Sequence, residues 1–119
     1  MHADGLEPEE EFEELVGRAL DSLPKQFKEW MSNVEVVIED EPPPGQRLLG
    51  RYQGVPLTRR TSWYVGALPD KITIYRGPLE RLSLGDPERL EGEVRHVVLH
   101  EVAHHFGISD ERLIEIDRY

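Results

Sequence analysis

The chain has 119 residues, 38% hydrophobic and 32% charged, with 24 acidic against 14 basic side chains and a formal net charge of −10. That length predicts one domain over residues 1–119 with a single modest core, and the acidic balance argues against nucleic acid or a membrane surface as partner, since both need a basic face. With no cysteine, disulfides, thiolate metal sites and Cys nucleophiles are excluded, so any metal has to be held by His and carboxylates.

No apolar run approaches the roughly 18–20 residues of a membrane span. The opening MHADGLEPEEEFEE lacks the basic and apolar regions of a secretory signal. The expected setting is a bacterial-type cytoplasm, with a monomer as the default state.

Phe12, Leu15, Val16, Ala19, Leu20 and Leu23 recur at helical spacing, and Pro8 with an acidic first turn suits that helix's N-terminus. Pro24 restarts a short helix carrying Phe27, Trp30 and Met31. Asn33–Asp40 (NVEVVIED) alternates as a strand with one face buried, and Glu41-Pro-Pro-Pro-Gly45 breaks it. Leu48–Val55 reads as a second strand, with Gly50 and Gly54 allowing bends or close approach. Trp63, Tyr64 and Val65 form an aromatic cluster that suits the core better than a site wall. Pro69-Asp70 reads as a turn, Lys71–Tyr75 (KITIY) as a strand ended by Gly77-Pro78, and Leu79–Leu84 as a short helix or turn.

The next helix has the clearest ends in the chain. Asp86 is a suitable N-cap, Pro87 stands at N1 and Glu88 in the positive first turn. The body runs through Leu90, Val94, Val97, Val98 and Val102 to His105 or Phe106, and Gly107 supplies the left-handed residue past its end. A last helix begins at Ser109 or Asp110 and carries Leu113, Ile114 and Ile116. The expected class is α+β: a small mixed β-sheet packed against this long helix, with flanking N- and C-terminal helices.

Within that helix lies His100-Glu101-Val102-Ala103-His104, the pattern HExxH. Residues four apart stack on one helix face, so both imidazoles can reach one ion, and catalytic zinc takes three protein ligands and a water. Glu101 lies about 100° around the helix from His100, placed to take a proton from a metal-bound water and hand it to a leaving amine. From the chain's own composition, HExxH alone arises by chance with probability roughly 0.03, and the extended HExxHxxGxxD, with Gly107 and Asp110, roughly once in 7,000. The turn at Gly107 can return Asp110 to the open side of the metal as third ligand. Asp110 could instead cap the last helix, but Ser109 is an equally good cap and would free Asp110 to point at the metal from the first turn. His96 and His100 also form an i, i+4 pair, but that pair lacks an intervening Glu and a third ligand, so His96 reads as a packing residue or one supporting the ligands from behind. His105 has three open readings: support behind the ligands, a transition-state donor, or a side chain in solvent.

The stretch VRHVVLHEVAHHFGISDERL (94–113) closely resembles the small bacterial zincin-like metallopeptidases, the minimal zincins. The similarity extends through LPDKITIYRGPLER (68–81), RYQGVPL, the NVEVVIEDEP strand and the first helix. The resemblance implies a compact α+β fold, one zinc ion held by His100, His104 and Asp110, and Glu101 as the catalytic base. It implies a peptidase acting on a peptide or protein, with a non-catalytic zinc-binding interaction module as the rival reading. Tyr64, Tyr75, Arg76 and His105 are candidate oxyanion donors, and KITIY is a candidate sheet edge for an added substrate strand. The motif is also similar to that of metzincins, but the methionines are Met1 and Met31, so no Met-turn follows it. The chain is too short for a second subdomain walling a substrate cleft.

Overall fold

In the computed structural model, which describes residues 7–31, 33–54 and 70–108, the elements run α1 (Pro8–Asp21), α2 (Lys25–Trp30), β1 (Val34–Glu39), β2 (Gly50–Gln53), β3 (Asp70–Tyr75), α3 (Arg76–Ser83) and α4 (Pro87–His105). The protein is α+β, with a small mixed sheet against a long helix. The Trp63–Val65 cluster and the final helix expected from Ser109 or Asp110 lie outside the described residues. Among the described residues no helix is long and apolar enough to cross a membrane.

The sheet order is β1-β3-β2, with β1 parallel and β2 antiparallel to the central β3. Val36 and Ile38 pair with Ile72 and Ile74, and Tyr52 and Gly50 pair with the same two isoleucines from the other side. Cross-strand partners share a face, so these side chains form one apolar layer, and the buried valines of α4 pack on it. Phe12, Val16 and Ala19 of α1 close the core against α4. KITIY is thus the middle strand rather than an edge, which corrects the expectation that substrate could add to it. Ile72 and Ile74 on one face and Thr73 and Tyr75 on the other are all at most 3% exposed, so the middle strand is covered on both faces as well as paired along both edges.

Gly77-Pro78 does not terminate β3 with a loop. Helix α3 starts at Arg76, directly after the strand, because proline is tolerated in a helix's first turn. Gly77 lies so close to Asp40 and Glu41 that a Cβ would collide with both, and its N–H donates to the Asp40 carbonyl at 2.8 Å. Two arginines then fasten α3 to the chain after β1. Arg76 donates to Asp40 (2.9 and 3.1 Å) and to Glu80 (3.0 Å), and Arg81 grips both oxygens of Glu41 at 2.9 Å. The Asp40 hydrogen bond, chiefly, raises the Arg76 pKa further, and the hydrogen bond from Arg81, chiefly, holds the Glu41 carboxyl below its ordinary value.

Helix α4 is defined at both ends by its own sequence. The Asp86 carboxylate accepts from the N–H groups of Glu88 (3.0 Å) and Arg89 (3.5 Å), and Pro87 fills N1. At the other end Gly107 has φ +83; its N–H donates to the His104 carbonyl, and that of Ile108 reaches back to Ala103. This pair of bonds is the Schellman arrangement, which leaves the chain reversed just beyond the motif.

The turn between α3 and α4 contains one residue that fits poorly. Leu84 has φ 54 and ψ 34 and is 80% exposed, a left-handed conformation that costs an L-residue without a short polar side chain about 1–2 kcal/mol. Leu84→Asn is therefore expected to raise stability by roughly 0.5–1 kcal/mol. Urea unfolding checks it, and an unchanged or lower midpoint would contradict the strain assigned to this turn.

Candidate metal centre

Helix α4 brings the motif to one place because its two faces have different partners. Val94, Val98 and Val102 are buried against the sheet and α1. On the adjoining face, His96, His100 and His104 follow one another at four-residue intervals along an open cavity of about 500 Å³. The opposite wall is the segment Arg47–Leu49 and the start of β2. The His100 and His104 rings are 4.8 Å apart between centroids, and those of His96 and His100 are 6.3 Å apart.

Glu101 stands at the seam between the two faces. It is 6% exposed, yet it lines the cavity floor with Val97. One of its carboxylate oxygens is 3.4 Å from Nδ1 of His104. One donor atom each from His100, Glu101 and His104 lies within 4.8 Å of the other two, and among the described residues this is the one cluster of three that could hold a metal. His96 lines the same cavity but belongs to no such cluster.

The strand wall approaches this floor through Gly50. A Cβ there would be 2.7 Å from a methyl carbon of Val97 and 3.1 Å from Cγ of Glu101. The close approach expected of Gly50 is thus a contact with the motif helix itself. A side chain there would press first on Val97 and then on Glu101.

The other candidates occupy different ground. His105, next to His104, is turned away from solvent: it is 1% exposed, and its Nδ1 is 2.8 Å from Oδ2 of Asp70. Tyr75 is 2% exposed, and strand alternation from Ile74 puts it on the sheet face opposite α4. Arg76 is engaged by Asp40 and Glu80, and neither Tyr75 nor Arg76 lines the cavity. Asp110 and Tyr64 lie outside the described residues. Two residues not anticipated from the sequence are Tyr52, on the cavity wall, and Asp70, 1% exposed, which accepts the Tyr52 hydroxyl at 2.5 Å. The signal available for Asp70 is weak, because an acidic residue after Pro69 reads as a turn.

A helix presenting two histidines and a glutamate to an open cavity, backed by a three-stranded mixed sheet, is the arrangement of a small zincin-type domain. The chain belongs to the zincin-like metallopeptidase family, whose sequence pattern matches residues 31–119. It is also similar to a solved structure, a conserved hypothetical protein from Thermus thermophilus, at 31% identity over 83% of this chain and 94% of that one, with a TM-score of 0.59. Among curated proteins none matches the chain significantly.

The contact at Gly50 gives a direct prediction. Gly50→Ala overpacks the seam between β2 and α4 and is expected to cost about 1–3 kcal/mol. Thermal and urea unfolding measure it; a loss under about 0.3 kcal/mol would mean that β2 does not rest on Val97 and Glu101 as described.

Proposed function

We propose that this protein is a zinc-dependent metallopeptidase in which His100, His104 and Asp110 hold one ion and Glu101 is the general base. The observation that carries the reading is the convergence of His100, Glu101 and His104 on the floor of an open cavity, in a chain of the zincin-like metallopeptidase family. The donors suit zinc: two imidazoles on one helix face, supplemented by carboxylate oxygen, in a protein with no thiolate to offer. When bound, such an ion supplies Lewis-acid polarisation of a carbonyl and a lowered pKa for water.

The protein's own residues then account for the proton traffic. Glu101 is buried on its helix side and open on its cavity side, so its carboxylate is held in place yet reachable by substrate. It accepts a proton from a water whose oxygen adds to the peptide carbonyl carbon. It returns that proton to the amide nitrogen as the C–N bond breaks, leaving a carboxylic acid and an amine. A cavity of about 500 Å³ falls within the range of sites that hold small ligands. Leu48, Leu49 and Tyr52 provide the apolar part of its wall. The substrate is a peptide or protein, and the reading carries with it the cytoplasmic, monomeric setting expected from the sequence.

Glu101→Gln tests the reading, because it keeps the side chain's shape and removes only its basicity. The zinc-loaded wild type is expected to hydrolyse members of a quenched-fluorescence peptide library, and the variant to lose about 10²–10⁴-fold in kcat/KM while retaining zinc. A zinc-loaded wild type that cleaves nothing, or a variant as active as the wild type, would overturn the peptidase assignment, the first outcome in favour of a non-catalytic zinc-binding module.

A further inference from the structure

We infer that the buried cluster Tyr52–Asp70–His105 is a rotational lock on α4 that positions His104 and Glu101 for the metal; the inference rests on the metal-site reading above. The cluster uses three elements. His105 ends α4, Asp70 begins β3 and Tyr52 belongs to β2. Both donors converge on the same carboxylate oxygen of Asp70, the His105 Nδ1 at 2.8 Å and the Tyr52 hydroxyl at 2.5 Å. The Tyr52 and His105 rings meet edge-on, with centroids 5.9 Å apart. Asp70 and His105 are each 1% exposed.

The carboxylate is itself immobilised. The Asp70 N–H donates to the Asn33 carbonyl at 3.1 Å, and the chain at Gly54 passes so close that a Cβ there would collide with the Asp70 side chain. Gly54 has φ +150, a conformation open to glycine, so the residue capping the carboxylate is fixed by two independent requirements. A buried carboxylate costs several kcal/mol unless it is hydrogen-bonded. A cluster of this kind therefore has to be complete to be tolerated, and complete it is rigid.

Apolar packing alone would not orient the ligands. Burying Val94, Val98 and Val102 decides which face of α4 meets the sheet, but the hydrophobic effect is non-directional and does not fix the helix rotation to within a few degrees. A donor atom on the helix surface is about 6 Å from the axis, so a 10° rotation carries it about 1 Å. Metal–ligand distances tolerate about 0.2 Å. A hydrogen bond is directional, weakening steeply away from linearity, and this one is made by the residue adjoining His104 and one helical turn from Glu101. The same Asp70 oxygen holds Tyr52, so the cavity's strand wall and its helix wall are tied to one atom. Partners hydrogen-bonded directly to metal-ligating histidines change affinity 10–100-fold when removed, and Asp70, which acts through the residue adjoining His104, is expected at the lower end of that range.

The test is zinc affinity, measured by competition with a chromogenic chelator on the full chain and paired with the melting temperature of the metal-free protein. Asp70→Asn is expected to weaken zinc at least tenfold, and Tyr52→Phe, which deletes only the donated hydroxyl, at least threefold. Val98→Ala, which destabilises the same helix without touching the hydrogen bonds, should leave zinc affinity within twofold of wild type. If Asp70→Asn does not fold, folded Tyr52→Phe carries the test. Unchanged affinity in the folded variants, or an equal loss in Val98→Ala for the same drop in melting temperature, overturns the lock. A wild type that binds zinc tightly but cleaves no peptide removes the peptidase reading and leaves this inference standing. A wild type that binds no zinc removes both.

Discussion

The packing of α4 on the sheet decides everything else. Two histidines four residues apart can meet one ion on any helix, but they form a site only if the helix turns them to an open cavity while its opposite side is buried. Val94, Val98 and Val102, set on Ile72 and Ile74 and backed by Phe12 and Val16 of α1, impose that division. Glu101 falls at the boundary, 6% exposed and still on the cavity floor. Placed wholly in the core, it would be an intolerable charge; placed wholly in solvent, it would have no fixed position.

The other features serve that packing. The Asp86 cap and the Gly107 turn give α4 its length, so that the motif falls in its last two turns. Gly50 lets β2 come within contact of Val97 and Glu101. Arg76 and Arg81 bind α3 to Asp40 and Glu41, which anchors the proline-rich segment leading to the Arg47–Leu49 wall of the cavity. Among the described residues the site is built from α4 and the segment Arg47–Tyr52. The described residues provide a floor and two walls of the cavity.

What can be read in advance is what is encoded locally. The caps of α4, the apolar stripe of α1, the alternation of β1 and the HExxH motif all depend on residues within one or two turns of each other, and all are legible. The order of the strands is not, because KITIY has the same alternation whether it lies at an edge or between two partners, and pairing with Val36 and Tyr52 is set by residues far away in the chain. Asp70 is misread for the same reason. Its neighbours make it look like a turn, while the donors that allow it to be buried, Tyr52 and His105, lie 18 and 35 residues distant. His105 adjoins a candidate ligand in sequence, yet one step around the helix moves it by about 100° from the cavity into the core.

The central claim is that His100 and His104 bind one ion and that the turn at Gly107 supplies Asp110 as its third protein ligand. The most direct measurement is anomalous diffraction at the zinc absorption edge from crystals of the zinc-loaded protein. The expected result is a single peak about 2.0–2.1 Å from a ring nitrogen of each histidine, with a carboxylate oxygen of Asp110 at about 2.0–2.2 Å. A peak between His96 and His100, or one that remains after His104→Ala, would contradict it.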